Sequence, residues 1–219
     1  ETVLRAASQH GTQRVIIAST SEVYGKQDRV PFREDDDSVL GSTNLHRWSY
    51  ACAKMLDEFL ALAWHRERKL GVTIARFFNV TGPRQSPAYG MVLPRFCQAA
   101  AANTVLEVHS DGQQTRTFLH VIDAVSGLLA LAHCAAANGR VVNLGGTEEI
   151  SMLSLAQRVI TEAKQGRVSL IPYAEAYPSG FEDMRRRVPD TTLLRSLTGW
   201  APTRDLAAII RDALNDRPR

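Results

Sequence analysis

The sequence lacks the features that mark secreted, membrane-spanning and nucleic-acid-binding chains. Its three cysteines, Cys52, Cys97 and Cys134, are far apart and odd in number. They give neither a disulfide framework nor a zinc-type spacing, so the expectation is a reduced, intracellular, cytoplasmic protein without a metal site. The opening residues Glu1-Thr2-Val3-Leu4-Arg5 have neither the basic segment nor the apolar core of a signal peptide. The longest apolar segment, Val121 to Ala137, is interrupted by Asp123, Ser126 and His133 and reads as a packed helix rather than a membrane span. A dominant charge sign is missing as well: 26 basic residues face 23 acidic ones, a net charge of +3, and no concentrated basic face is left for nucleic acid. The one dense basic run, Arg185-Arg186-Arg187, sits beside Glu182 and Asp183 and reads as a solvated face or an anion site. Internal repeats and low-complexity tracts are absent too.

What the chain does have is material for a core. Hydrophobic residues make up 44% of it, which excludes disorder as the default, and its length suits one large domain or one with a small lobe. Glu1 to His10 reads as the end of a helix stopped by Gly11, and Arg14 to Ser19 as a buried parallel strand without in–out alternation. Lys26 to Asn44, with Pro31, Gly41 and the acids Glu34 to Asp37, reads as a surface loop. A long helix is expected from about Trp48 to Lys69, with Leu56, Phe59, Leu60 and Ala63 as its apolar stripe and Gly71 as its stop. Val72 to Asn79 is the next strand, broken by Gly82-Pro83-Arg84. A helix near Met91 to Ala102, a strand at Val105 to His109, a turn at Asp111-Gly112, a helix at Val121 to Ala137 and a strand at Val141 to Leu144 follow. Ser151 caps a helix of about Met152 to Lys164, Val168 to Ile171 is a strand ended by Pro172, Tyr173 to Arg187 is irregular, and short helices begin near Thr191 and Arg204. This recurring strand–helix alternation predicts an α/β fold with a parallel sheet.

Polar side chains stand where the strands end. Val15 to Ala18 stops at Ser19, Thr20, Ser21 and Glu22, and the next strand stops at Asn79. Ligands of a doubly wound sheet gather outside the carboxyl ends of its strands. Hydroxyls there can donate to a substrate oxygen, and a carboxylate can act as a base or hold a sugar hydroxyl. Tyr50 and Lys54 lie four residues apart, hence on one helix face. A free tyrosine, with a pKa near 10, is a poor base at neutral pH, but a neighbouring ammonium favours the phenolate. Tyr-x-x-x-Lys is therefore a unit for taking a proton from an alcohol; the alternative is a packed tyrosine and a solvated lysine.

Four motifs occur in order: Ser-Thr-Ser-Glu-Val-Tyr-Gly at 19–25, Tyr50-x-x-x-Lys54, Arg76-Phe77-Phe78-Asn79-Val80-Thr81-Gly82-Pro83-Arg84, and Gln114-Thr115-Arg116-Thr117-Phe118-Leu119-His120-Val121-x-Asp123. With Asn143-Leu144-Gly145 and Arg187-x-x-Asp190 they resemble the extended short-chain dehydrogenase/reductase family, the NAD-dependent nucleotide-sugar epimerases, decarboxylases and dehydratases. The resemblance implies a Rossmann-type parallel sheet with a small C-terminal α/β substrate lobe: residues 1–82 in the NAD domain, 83–219 mostly in the lobe, and 115–145 returning to the sheet. It implies Tyr50 as the base at the sugar 4-hydroxyl, Lys54 on the nicotinamide ribose, Thr20 on the 4-oxygen, and Ser21 and Glu22 positioning the ring. Ser19 and Phe77 would join Tyr50 and Lys54 at the cofactor. Asn79 would meet the sugar diphosphate, Arg116 and Arg187 the diphosphate or a sugar carboxylate, and Val92, Leu93 and His109 would frame the nucleobase. A homodimer of the full-length form is implied, through a helix bundle to which the Tyr50 helix offers Met55, Leu62 and Trp64 on its outer face, residues that could equally pack within the monomer.

The match departs in three places. The family's Gly-x-x-Gly-x-x-Gly turn occurs nowhere in the sequence, nor does a strand ending in an acid for the adenosine ribose. The expectation is an N-terminally truncated domain, short by about 90 residues at roughly 30 per βαβ unit. Such a chain would hold NAD weakly or not at all and would not turn over, and its open sheet edge would invite aggregation. His109-Ser110 stands where many relatives have Tyr-Gly. Ser21 replaces the acid of the 4,6-dehydratases, which argues against dehydration. Thr20-Ser21-Glu22 resembles UDP-glucuronate decarboxylases, whereas Arg47-Trp48-Ser49-Tyr50, Tyr89 to Phe96 and Gly180 to Asp190 resemble bacterial NAD-dependent epimerases. The narrow preference is a UDP-sugar 4-epimerase, with UDP-glucuronate decarboxylase next and a non-catalytic nucleotide-sugar-binding or dimerising fragment as the reading from another class.

Overall fold

Runs of β-branched residues set the frame. The computed structural model describes residues 1–88, 91–177 and 184–216. Its elements in chain order are α1 (Thr2–Gln9), β1 (Val15–Thr20), α2 (Ser49–Arg68), β2 (Val72–Phe77), β3 (Val80–Thr81), α3 (Val92–Ala101), β4 (Val105–His109), β5 (Thr115–Thr117), β6 (Leu119–His120), α4 (Val121–His133), β7 (Arg140–Leu144), β8 (Glu149–Ser151), α5 (Met152–Ala163), β9 (Arg167–Ile171), α6 (Tyr173–Ala176), β10 (Arg186–Arg187), α7 (Thr192–Thr198) and α8 (Leu206–Asn215). The fold is α/β, and its main sheet is parallel throughout, in the order β1-β2-β7. The register brings Thr20, Phe77 and Leu144 into one row at the carboxyl ends of the strands.

Both faces of this sheet are covered, which is why its strands do not alternate apolar and polar residues. On one face Leu4 of α1 and Ala61 of α2 pack with Val72 and Ile74. On the other, Ala124 and Leu131 of α4 and Leu194 of α7 pack with Ala75, Val142 and Leu144. β1 pairs only with β2 among the described residues, and Ala18 in its middle is exposed. A second core fills the C-terminal lobe, where α3, α5 and α8 surround β4 and β9. Phe96, Leu106, Leu155, Ile209 and Ile210 form its centre, each contributing about 1.5–3 kcal/mol by leaving water.

Several expectations change here. Part of the stripe expected of α2 faces outward, Leu56 being 58% and Phe59 65% exposed, while Leu60 packs inward. Met55, Leu62 and Trp64, expected outside, pack inward. The helix is apolar on two sides, and its small residues decide between them, because Ala51 and Ala61 let the backbone approach the sheet. Gly71 does not stop α2. Lys69 does, at φ 58, with its N–H on His65 O, while Gly71 is needed because a Cβ there would stand 2.3 Å from the Gln13 carbonyl. The 26–44 loop is not all surface: Phe32 is fully buried, stacked on Tyr24 with ring centroids 4.7 Å apart. The Glu34 carboxylate accepts the Asn143 N–H at 2.9 Å. α4 ends at His133 rather than Ala137, followed by a 3-10 turn. The stretch expected to be irregular contains α6 and β10; its residues 178–183 lie outside the described residues.

The lobe is fastened to the sheet side along α8. Asp123 in the first turn of α4 accepts from the N–H and Oγ1 of Thr203 and from the N–H and guanidinium of Arg204, the residues leading into α8. Those donors hold its carboxyl below the usual carboxylate range against the opposing effect of burial. Halfway along α8, Asp212 meets His120 at 3.3 Å. At its end, the Asp216 carboxylate accepts the Arg84 N–H. No described helix is long and apolar enough to cross a membrane.

Candidate active site

β1 passes into a 3-10 turn, Ser21–Tyr24, because the Thr20 hydroxyl oxygen accepts the Glu22 N–H at 3.3 Å. Gly25 closes the turn at φ 67, where a Cβ would lie 2.0 Å from the Val39 carbonyl. Ser21, Val23 and Tyr24 are buried by the turn, and Glu22 projects into a cavity of about 370 Å³.

α2 starts beside this turn. Tyr50 in its first turn is 55% exposed. Lys54 follows one turn later, with its ammonium on Asp57 at 3.1 Å. Glu58, another turn on, is 5% exposed and bonded on every side. Its carboxylate accepts from Ser19 Oγ and, at 3.0 and 2.7 Å, from Nε and Nη2 of Arg76. The Arg76 guanidinium also lies 4.7 Å from the Tyr24 ring centroid. Tyr24 donates to Asn143 Oδ1 at 2.7 Å, and burial pushes its hydroxyl up to about 12 although Arg76 acts the other way. One buried polar network thus ties the Tyr50 helix to all three strands. Of the two residues expected at the cofactor beside Tyr50 and Lys54, Ser19 donates its hydroxyl to Glu58 and Phe77 packs partly into the core beneath α4.

All six residues expected at the substrate, Asn79, Val92, Leu93, His109, Arg116 and Arg187, line the cavity with Glu22. Thr20, Ser21, Tyr50 and Lys54 are not among its lining residues; they belong to the neighbouring strand end and helix start. The sequence reading missed Arg47, which stands in the turn feeding α2. The Glu22 carboxylate bridges two guanidiniums, pairing with Arg187 Nη1 through one oxygen and with Arg47 Nη1 at 2.5 Å through the other. Burial alone would raise the Glu22 pKa, but Arg187 and Arg47 together hold it below the usual range. Arg187 also donates to Asn79 Oδ1 at 2.8 Å, and Asn79 donates in turn to Thr117 O at 2.8 Å. With Arg95, Arg116 and Glu107, the lining carries four arginines against two glutamates, so the cavity suits an anion. Arg116 and Arg187 are inside this site rather than on a solvated face.

At the far end, His109 Nδ1 meets Tyr177 OH at 2.9 Å, with the rings edge to face at 88°. Tyr173 tilts against Tyr177 with centroids 5.7 Å apart. The aromatic surface that His109-Ser110 left in question is thus built from α6 and the residue after it. Nothing in the local sequence marks Tyr177 as a partner of His109, 68 positions away. Arg47 had a signal, its place three residues before Tyr50.

The face that carries exposed Tyr50 and half-buried Lys54 at the carboxyl edge fits the ribose and reacting ring of a nicotinamide dinucleotide. The sequence contains no glycine-rich turn to cradle its pyrophosphate.

Comparison with known proteins agrees with this geometry. The sequence profile of the NAD dependent epimerase/dehydratase family matches residues 1–145. A UDP-N-acetyl-alpha-D-glucosaminuronate decarboxylase from Bacillus cytotoxicus is 42% identical over 203 residues, covering 91% of this chain and 62% of that protein. The UDP-D-apiose/UDP-D-xylose synthase 2 of Arabidopsis thaliana is 32% identical over 92% of this chain and 61% of its own length. Among solved structures, an epimerase from Methanothermobacter thermautotrophicus superposes with a TM-score of 0.84 at 27% identity, covering 96% of this chain and 61% of that one. The chain therefore spans about three-fifths of the length of these relatives.

Proposed function

Because the chain belongs to the NAD dependent epimerase/dehydratase family, whose members are NAD-dependent enzymes acting on nucleotide sugars, we propose that it carries the substrate site and proton-transfer pair of an enzyme that decarboxylates a UDP-hexuronate. One observation carries the reading: Arg47 and Arg187 converge on a single carboxylate inside the cavity. Guanidiniums so arranged suit a second carboxylate, that of a sugar acid. A neutral sugar gives them nothing to bind. The name of the 42% identical relative supports the same substrate class.

NAD, when bound, supplies the oxidation at C4 and the later return reduction. This chain's residues do the rest. Tyr50 takes the proton of the 4-hydroxyl, and Lys54 stabilises the phenolate that must exist beforehand. The Thr20 hydroxyl, whose oxygen accepts the Glu22 N–H, keeps its own hydrogen to donate to the 4-oxygen. Arg47 and Arg187 hold the carboxylate. A 4-keto group places it β to a carbonyl, from which carbon dioxide leaves readily, with the electron pair of the broken C5–C6 bond moving onto the 4-oxygen as an enolate. Arg116 meets the diphosphate, and His109, Tyr173 and Tyr177 face the base.

The second reading is the 4-epimerase favoured by the sequence, and the 27% identical epimerase structure supports it. It needs Tyr50, Lys54 and Thr20, and on a hexuronate it would use Arg47 and Arg187 in the same way, so the reaction rather than the binding separates the two readings. Incubation with UDP-glucuronate of a form of the protein long enough to retain NAD separates the two. Carbon dioxide and a UDP-pentose are expected, whereas a C4 epimer with the carboxylate intact selects the second reading. The binding site is tested apart from turnover. UDP-glucuronate is expected to bind more tightly than UDP-glucose, and Arg187→Met to erase the difference, about 10–100-fold for a charge-assisted pair. Equal affinity for the two ligands in the unsubstituted protein refutes the carboxylate site.

A further inference from the structure

The two guanidiniums that a substrate carboxylate needs are already taken. Glu22 holds Arg187 through one oxygen and Arg47 through the other, inside the same cavity. Resting on the carboxylate site argued above, we infer that a sugar carboxylate displaces Glu22 from Arg47 and Arg187 and that Glu22 takes up a proton as it is displaced.

The geometry leaves Glu22 few ways to stay ionised once displaced. Its backbone is fixed by the Thr20 bond and by the buried turn, so the side chain can swing but cannot leave. Two charged groups act on it, Arg187 from β10 and Arg47 from the turn before α2. The third neighbour in the cluster, Asn79, is uncharged and bonded to Arg187 and Thr117. With both guanidiniums turned to the substrate, less of their attraction opposes burial at Glu22, and the substrate carboxylate adds a like charge nearby; Arg95, Arg116 and Glu107 line the same cavity but are not among the groups acting on Glu22. Both effects favour the neutral acid.

The exchange also closes a cycle. When the C5–C6 bond breaks, the carboxylate departs as neutral carbon dioxide and both arginines lose their anion. The enolate, formed from the 4-keto sugar that oxidation by NAD supplies, takes a proton at C5 and returns to a ketone. Protonated Glu22 provides that proton, becomes a carboxylate, and again pairs with the two arginines. One proton enters with the acid sugar, and one is used at C5.

Calorimetric binding in buffers of different ionisation enthalpy reads the proton directly and needs no turnover. The ligands are UDP-glucuronate and UDP-glucose, which share a diphosphate diester with no group titrating near neutrality. UDP-glucuronate is expected to take up close to one proton more than UDP-glucose. Because the bound pKa lies above the free one, this excess is largest between the two values and vanishes both below the free pKa and above the bound one. Glu22→Gln, shown to be folded by its circular dichroism and unfolding midpoint, is expected to lose the excess and to bind UDP-glucuronate more tightly, having no carboxylate to displace. His109→Asn and Glu107→Gln, which remove the other lining groups able to gain a proton, are expected to keep the excess. Preferential binding of UDP-glucuronate without excess uptake, or an excess that survives Glu22→Gln, overturns the inference alone. Equal affinity for the two ligands overturns the carboxylate site and the inference with it.

Discussion

Replacing Glu58 tests how the Tyr50 helix is held over the strand ends. Glu58 is 5% and Arg76 8% exposed, and two hydrogen bonds of 3.0 and 2.7 Å join them. Glu58→Leu leaves the Arg76 guanidinium in the core with the Glu34 carbonyl at 3.2 Å and the Tyr24 ring as its remaining partners. An uncompensated buried charge costs about 3–5 kcal/mol, which for a domain of this size is a fall in Tm of about 6–20 °C. Arg76→Met alone should cost a similar amount, since Glu58 then keeps only the Ser19 hydroxyl. The double variant Glu58→Leu/Arg76→Met removes both charges together and should lie within about 2 kcal/mol of the unsubstituted protein. Urea unfolding followed by tryptophan fluorescence measures all four proteins, with Trp48 and Trp64 reporting from either end of α2. Single substitutions costing under about 1 kcal/mol, or a double variant costing as much as both singles together, would refute the argument that the pair is buried and coupled.

Tyr50→Phe should abolish turnover and spare UDP-sugar binding, because Tyr50 is absent from the cavity lining; a rate assay paired with calorimetry checks both. Burial raises the Glu34 pKa more than its bond from Asn143 lowers it. Stability linked to Glu34 is therefore present below its unfolded pKa and lost as pH climbs through the folded one. Glu34→Gln should then be the more stable protein at neutral pH, with an advantage that fades on acidification; denaturation midpoints across pH give the sign. Cys52 is exposed, whereas burial pushes the Cys97 thiol up to about 12. A disulfide reagent at mildly basic pH should label Cys52 first and reach Cys97 only after unfolding, as peptide mapping would show.

Local signals made much of the fold legible. Val105–His109 forms the expected strand because Leu106 and Val108 alternate with exposed Glu107 between a helix end and the Asp111-Gly112 turn. α5 begins where expected because Ser151 Oγ accepts the Ser154 N–H at 3.1 Å. Six residues of the cavity lining were legible because they fall in the ordered motifs or in the segments between them. What failed depended on distant partners. Periodicity gives α2 an apolar stripe, but the choice between Leu56–Phe59 and Met55–Leu62 rests on which side carries Ala51, Glu58 and Ala61. The acidic loop looked solvated because nothing local shows that Phe32 has Tyr24 and Phe78 to pack on. Arg47 was in view as part of a motif; its pairing with Glu22 became evident only with the turn folded.

The fastening of α8 has a bearing on how a ligand reaches the cavity. The helix fills the lobe's core with Leu206, Ile209 and Ile210, yet it is pinned to the sheet side at its start by Asp123, in its middle by His120 and at its end by Arg84. Three anchors along one helix lie on one line, so they oppose sliding or separation of the lobe from the sheet side and leave rotation about the α8 axis as the motion they do not oppose. Admission of a nucleotide sugar by movement of the lobe is then a turn about α8 rather than a parting of the two sides.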